Sequence, residues 1–291
     1  MSVRRVVLLA SLGFGPTAFA SGSAASNAAH TEPAKSPKAA EKGAPAAKAD
    51  KGGKAEDKGH EEAPHWTYEG ETGPAHWAEL SPEWATCGDG HAQTPIDLNT
   101  RFAESVGLDD VVLHYHPTDA TVVNNGHTIQ VDVAGGNAIE LDGEHYDLAQ
   151  FHLHTPSEHR LDGQSYEMEL HLVHKDARGN LAVIGVFLQP GPATPALDEV
   201  FDTMAGLKTG KKDDLPTPID PLALLPHRQA MVRYSGSLTT PPCSEGVRWI
   251  VMTTPITVSP EQIVAFHDLY EHNARPLQAL RGRAVLVDAT P

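Results

Sequence analysis

The chain has 291 residues, 40% hydrophobic and 21% charged, enough for one large domain or two small ones with a sizeable core. Its net charge is −16, and residues 64–291 alone carry 13 basic against 31 acidic side chains, a balance of −18 that argues against nucleic acid or anionic lipid as a partner. No apolar run approaches the roughly 20 residues that cross a bilayer, so no membrane span is expected.

At the N-terminus, Arg4 and Arg5 precede an apolar stretch from Val6 to Phe19, and Ala18-Phe19-Ala20 has the small-x-small pattern of a cleavage site. We read residues 1–20 as a secretory signal, with a poorly ordered helix as the alternative, and expect an exported protein, periplasmic or secreted. Residues 21–63 hold seven lysines and seven acids, and no Leu, Ile, Val, Met or aromatic residue. Such a segment cannot bury enough apolar surface to offset its ordering entropy and reads as a flexible spacer.

Residues 64–291 read as one strand-dominated domain with a few peripheral helices. Apolar and polar residues alternate with period two over 127–133, 150–154, 167–173 and 248–252, as in half-buried strands. Leu181 to Leu188 is nearly all apolar, as expected of a central strand covered on both faces. Helical periodicity covers 196–207 and 260–273, and Ser259 before Pro260 and Glu261 suits a helix start. There are two cysteines, Cys87 and Cys243. In an exported chain they would form one bridge; two buried thiols are the alternative.

Histidine carries the chemistry. His152 and His154 stand at i and i+2, so on a strand they share a face. His171 shares a face with Glu167, Glu169 and Val173 on a second strand, whereas His174 points to the opposite face and reads as a core residue. Two neighbouring strands can therefore offer three imidazoles to one ion. Three histidines with an open fourth position is the donor set of catalytic zinc. Gln150 and Glu169 lie on the ligand faces and could orient the rings by accepting their other N–H groups. On these residues alone, a metal centre and ordinary strand histidines both remain open.

Several further motifs occur in order. They are Trp66-Thr67-Tyr68, Gly73-Pro74-Ala75-His76-Trp77, Gln93-Thr94-Pro95-Ile96 and Asn124-Asn125-Gly126-His127. Then come Gln150-Phe151-His152-Leu153-His154, Ser157-Glu158-His159 and Glu169-Leu170-His171-Leu172-Val173-His174. Ser237-Leu238-Thr239-Thr240-Pro241-Pro242-Cys243 completes the set. From about residue 65 to the end the chain resembles the α-class carbonic anhydrases, in their exported bacterial form.

The resemblance implies a mainly β domain around a large, twisted, mostly antiparallel sheet, with zinc at the base of a conical cleft. It implies interconversion of carbon dioxide and bicarbonate by attack of zinc-bound hydroxide, with Zn2+ held by His152, His154 and His171. Thr239 and Glu158 then form a hydrogen-bonded pair that orients the hydroxide, and His127 is the proton shuttle. Val173, Val183, Leu238, Thr240, Val247 and Trp249 take the substrate positions, and Tyr68, Asn125, His127 and Gln130 the polar wall. It also implies a Cys87–Cys243 disulfide and, from the bacterial members, a homodimer. A non-catalytic relative would lack one or more of the zinc histidines, and all three are present. A zinc esterase would need an acyl pocket, and no motif for one is visible.

Overall fold

The structure, a computed structural model, describes residues 64–108 and 111–288. The signal segment expected at 1–20 and the spacer at 21–63 lie outside the described residues.

The described strands, in chain order, are β1 (Asp97–Leu98), β2 (Glu104–Val106), β3 (Val111–His114), β4 (Ala120–Asn124), β5 (Ile129–Val133), β6 (Ala138–Leu141) and β7 (Glu144–His154). They continue with β8 (Arg160–Leu161), β9 (Met168–Lys175), β10 (Leu181–Pro190), β11 (Lys211–Asp214), β12 (Met231–Ser237), β13 (Glu245–Val258) and β14 (Leu286–Asp288). The main sheet runs β11-β4-β5-β7-β9-β10-β13-β12-β14-β2, with β6 also on β7 and β3 on β6. Within it β10 pairs with β13, and β14 with β2, in parallel; the other pairings are antiparallel.

Strand β10 shows why the central apolar run has no polar alternation. Ala182, Ile184, Val186 and Leu188 join the larger core on one face, and Val183 and Phe187 join a second core on the other. Burial of alternate residues on both sides leaves no solvent face to mark with polar groups. Gly185 faces His171 across β9, and a Cβ placed there would stand 3.0 Å from Glu169 Oε1. A larger residue would push the carboxylate out of place.

Helix α1 (Trp77–Leu80) and helix α2 (Thr86–Asp89) are short pieces near the N-terminal aromatic cluster. Helix α3 (Pro195–Met204) buries Leu197, Val200, Phe201 and Met204, an i, i+3, i+4, i+7 stripe. It stops three residues before the expected end, where Leu207 N closes a tight turn on Met204 O. Helix α4 (Pro260–His267) starts as expected, with a reciprocal capping box between Ser259 and Gln262. It ends well short of Asn273, because the chain turns to pair Asn273 N with Thr155 O beside β7. The strand expected from His127 begins at Ile129. Asn125 Oδ1 accepts from both His127 N and Thr128 N, and the chain turns there instead.

Cys87 and Cys243 form a disulfide, closing the alternative of two thiols.

Candidate metal centre

His152 and His154 lie on β7 and His171 on β9, and the register sets His152 directly opposite His171 and His154 opposite Glu169. The sheet pleat therefore turns the three imidazoles to one side. Their ring centroids are 4.6–5.3 Å apart, and one nitrogen from each lies within 4.8 Å of the others.

Hydrogen bonds fix which nitrogen that is. Gln150 Oε1 lies 2.9 Å from His152 Nδ1, the backbone carbonyl of Asn273 lies 2.7 Å from His154 Nδ1, and Glu169 Oε1 lies 2.9 Å from His171 Nε2. Each oxygen can only accept, so each of those nitrogens carries the proton. The lone pairs are left on His152 Nε2, His154 Nε2 and His171 Nδ1. Burial pushes His152 well below its ordinary pKa, helped by the charges of His154 and His171, and burial also lowers His154. All three features favour neutral, ligand-ready imidazoles.

Of the two carboxylates beside the triad, Glu169 is the more heavily engaged. Burial alone would raise its pKa, but the charges and hydrogen bonds of His159 and His171 hold it well below the usual range. It accepts from His159 N and faces His159 Nδ1 at 2.7 Å, so the ring behind His171 is fixed as well.

The donor set passes a direct test of fit to a metal. His154 Nε2 and Glu158 Oε2 are both buried with no hydrogen-bond partner. Glu158 Oε2 stands 3.6 Å from His154 Nε2 and 3.9 Å from His171 Nδ1. Uncompensated buried lone pairs are costly, and a cation coordinated by the imidazoles offsets that cost.

A cavity opens over this triad. Val173, Val183, Leu238 and Trp249 line it on the apolar side and Tyr68, Asn125, His127, Thr128, Gln130 and Gln150 on the polar side, with Thr239 and Thr240 also in the lining. Val247 does not reach it. That side chain is buried in the second core, opposite Gly236 on β12, and packs behind the wall. Trp249 does more than line the cavity: its ring stands edge-on to His171 at 4.8 Å. Nor does Thr239 bond to Glu158 as expected, since Glu158 Oε1 accepts from Arg275 N and Oε2 stays unpaired. The two residues flank the same centre without touching through a hydrogen bond. His174 lies in the core, where Ala182 O and Tyr115 Oη hold its two nitrogens.

Two participants were not legible in the sequence. Asn273 and Arg275 reach the centre from more than 110 residues away, through backbone groups that any residue type possesses. Trp66, from the first of the motifs, stacks flat on His127 with centroids 3.7 Å apart and planes 5° apart, a contact that the motif alone did not predict.

Comparison with known proteins agrees with this geometry. The family described as eukaryotic-type carbonic anhydrase matches residues 72–289. A carbonic anhydrase of Nostoc sp. is 45% identical over 225 residues, covering 76% of this chain and 85% of that protein. One from Pectobacterium carotovorum is 44% identical, covering 76% and 90%. Among solved structures, the α-carbonic anhydrase of Thermovibrio ammonificans in complex with the inhibitor sulfanilamide superimposes with a TM-score of 0.74. It is 44% identical and covers 77% of this chain and 99% of that one.

Proposed function

The chain belongs to the eukaryotic-type (α) carbonic anhydrase family, and on that premise we propose that it interconverts carbon dioxide and bicarbonate with zinc at His152, His154 and His171. The observation that carries the reading is the protonation pattern of the triad. Three imidazoles give their outer N–H groups to fixed oxygens and turn their lone pairs to one point beside Glu158. Zinc, when bound, supplies Lewis acidity that makes hydroxide available near pH ~7, a value general to carbonic anhydrases.

The protein's own groups do the rest. Val173, Val183, Leu238 and Trp249 offer carbon dioxide an apolar surface and keep water off it. The Thr239 hydroxyl accepts a hydrogen bond from the nucleophile, aiming its lone pair at the carbon. The open acceptor on Glu158 Oε2 is the partner we assign to the Thr239 proton in the loaded enzyme. Hydration releases one proton per turnover, and the His127 imidazole at the polar side carries it outward.

The compartment is inferred from the sequence and the disulfide: a signal over 1–20, a spacer over 21–63 and a catalytic domain over 64–291 describe an exported enzyme, periplasmic or secreted. No helix among the described residues is long and apolar enough to cross a membrane. By resemblance to bacterial relatives we assign a homodimer, which sedimentation velocity tests directly. Stopped-flow hydration of carbon dioxide, with metal content measured before and after chelation, tests the activity. Turnover that is lost with zinc and regained on its return is expected. Chelator-resistant turnover, or none in zinc-loaded protein, would overturn the reading.

A further inference from the structure

Glu158 Oε1 accepts from Arg275 N at 2.8 Å and Oε2 is unpartnered, so groups outside the pair set the distance from Glu158 to Thr239. The Arg275 amide belongs to a stretch, 273–280, that lies in no helix or strand, and its own side chain anchors it. The residue is 2% exposed, and its guanidinium sits 5.6 Å over the Trp77 ring. Nη1 donates to Gln93 Oε1 and Thr94 O, and Nη2 donates to Cys87 O. Burial lowers its pKa to about 10, which leaves it charged at neutral pH. Residues 93 and 94 hold the other partner's turn at the same time. Gln93 Nε2 donates to Cys243 O, Thr94 N to Ser237 Oγ, and Ser237 N to Thr94 Oγ1. Gly236 allows this approach, since a Cβ there would collide with Thr94 Oγ1. Thr239 lies between Ser237 and Cys243.

We propose that the Arg275 side chain is a positioning residue for the reaction: through Gln93 and Thr94 it ties the amide that holds Glu158 to the turn that carries Thr239, and so sets the spacing of the two. The proposal rests on the reading of Thr239 and Glu158 as the groups that orient the nucleophile. The metal ligands do not depend on this tie. Asn273, which holds the His154 ring, is fixed by its own bonds to Thr155, His127 and Leu153. Arg275 therefore acts on the orienting pair and not on the triad. A threonine hydroxyl has one proton. When Glu158 takes that hydrogen bond, Thr239 can only accept from a bound group, which favours a ligand that carries a proton over an anion that carries none. Slack in the tie frees the hydroxyl to turn and donate to such an anion.

The test uses zinc-loaded full-length protein carrying Arg275→Lys, which keeps the charge but lacks the planar fork that reaches three oxygens. Its kcat/KM for hydration is expected to fall about 10- to 100-fold, as for a small misplacement of an orienting group. Zinc affinity, read by competition with a chromophoric chelator, should hold. Azide binding, read by isothermal titration calorimetry, should tighten about 3- to 10-fold, the worth of one hydrogen bond. In a Glu158→Gln background the same substitution should cost little more, because both act through one carboxylate. Gln93→Ala removes one of the three guanidinium acceptors and should move the same quantities in the same directions by less; it serves as the test if Arg275→Lys does not fold. Azide binding that is unchanged or weaker, zinc affinity that falls in step with kcat/KM, or additive losses with Glu158→Gln would overturn the positioning role while leaving the activity in place. A parent protein that neither holds zinc nor hydrates carbon dioxide would remove the functional reading and the positioning role together.

Discussion

Glu158 Oε2 stands 3.6 Å from His154 Nε2, two buried acceptor atoms face to face with nothing between them to donate. A cation held by the triad turns that contact from repulsive to attractive. Metal binding is therefore linked to folding. At free zinc about 1,000 times its Kd, the folded state gains about 4 kcal/mol. Differential scanning calorimetry of chelated and zinc-loaded protein should show the chelated form melting several degrees lower. Equal melting temperatures would detach the metal from this site.

The triad and its supports should separate by degree. His171→Ala removes a ligand and should abolish zinc retention while the domain still folds. Glu169→Gln leaves the ligand in place but replaces the charged acceptor at 2.9 Å from His171 Nε2. It should weaken zinc affinity by about 10- to 100-fold without abolishing it. Competition against a chromophoric chelator reads both.

Thr239 and Glu158 line the centre without touching the metal ligands through hydrogen bonds. Thr239→Ala and Glu158→Gln should each cost turnover more than zinc affinity. If Glu158 accepts a hydrogen bond from the Thr239 hydroxyl during the reaction, the two losses are non-additive in kcat/KM. Additive losses would leave the partners independent, as they stand in the free protein.

The disulfide closes a sequence separation of 156 residues and anchors the turn that carries Thr239. Cys243 N donates to Thr240 O, Gln93 Nε2 to Cys243 O, and Arg275 Nη2 to Cys87 O. By the chain-entropy argument the crosslink contributes roughly 4 to 5 kcal/mol, with measured gains often smaller. Reduction, or Cys87→Ser with Cys243→Ser, should lower the urea midpoint and also reduce kcat/KM, because the anchored turn includes the cavity lining. A stability loss with full activity would confine the bridge to a structural role.

Acid should unfold the protein partly through a residue outside the site. Ala182 O accepts from His174 Nδ1, so Nε2 is left to accept from the Tyr115 hydroxyl, and burial lowers the pKa of His174 to about 4. Between pH ~6.5 and 4 the unfolded chain takes up a proton that the folded chain refuses, so stability falls as pH drops through that window. The loss approaches about 3 kcal/mol near pH 4. Below the ordinary carboxylate value of about 4.3, Glu169 adds to it, since its folded pKa is held lower still. Urea midpoints measured from pH 7 to 4 should decline less steeply in His174→Gln than in the parent.

The ligand strands were legible because local pattern determined them. The alternation through His152 and His154 fixed their shared face, and the same reasoning placed Glu169 with His171 and put His174 in the core. Strand β7 nonetheless extends back to Glu144, and α4 stops at His267. In both cases tertiary pairing decides the boundary: β6 lines up along the early half of β7, and the turn towards Thr155 ends the helix. Val247 was misplaced for a related reason. Its alternation on β13 gives its face, but not its depth, and the side chain is buried in the second core behind the lining residues. Position 273 offered no signal at all, because its contribution to His154 is a main-chain oxygen.

That oxygen has a consequence for the order in which the protein is made. Asn273 supplies the carbonyl for His154, its side-chain oxygen accepts from Thr155 N, and its amide nitrogen donates to His127 O and Leu153 O. A nascent chain that has completed β9 already holds all three ligand histidines, yet one ring lacks the acceptor that fixes its tautomer. The finished coordination geometry exists only once residue 273 has left the ribosome and folded back onto β7. Zinc captured earlier would meet a looser set of donors, so maturation of this centre waits on a residue synthesised long after the last ligand strand.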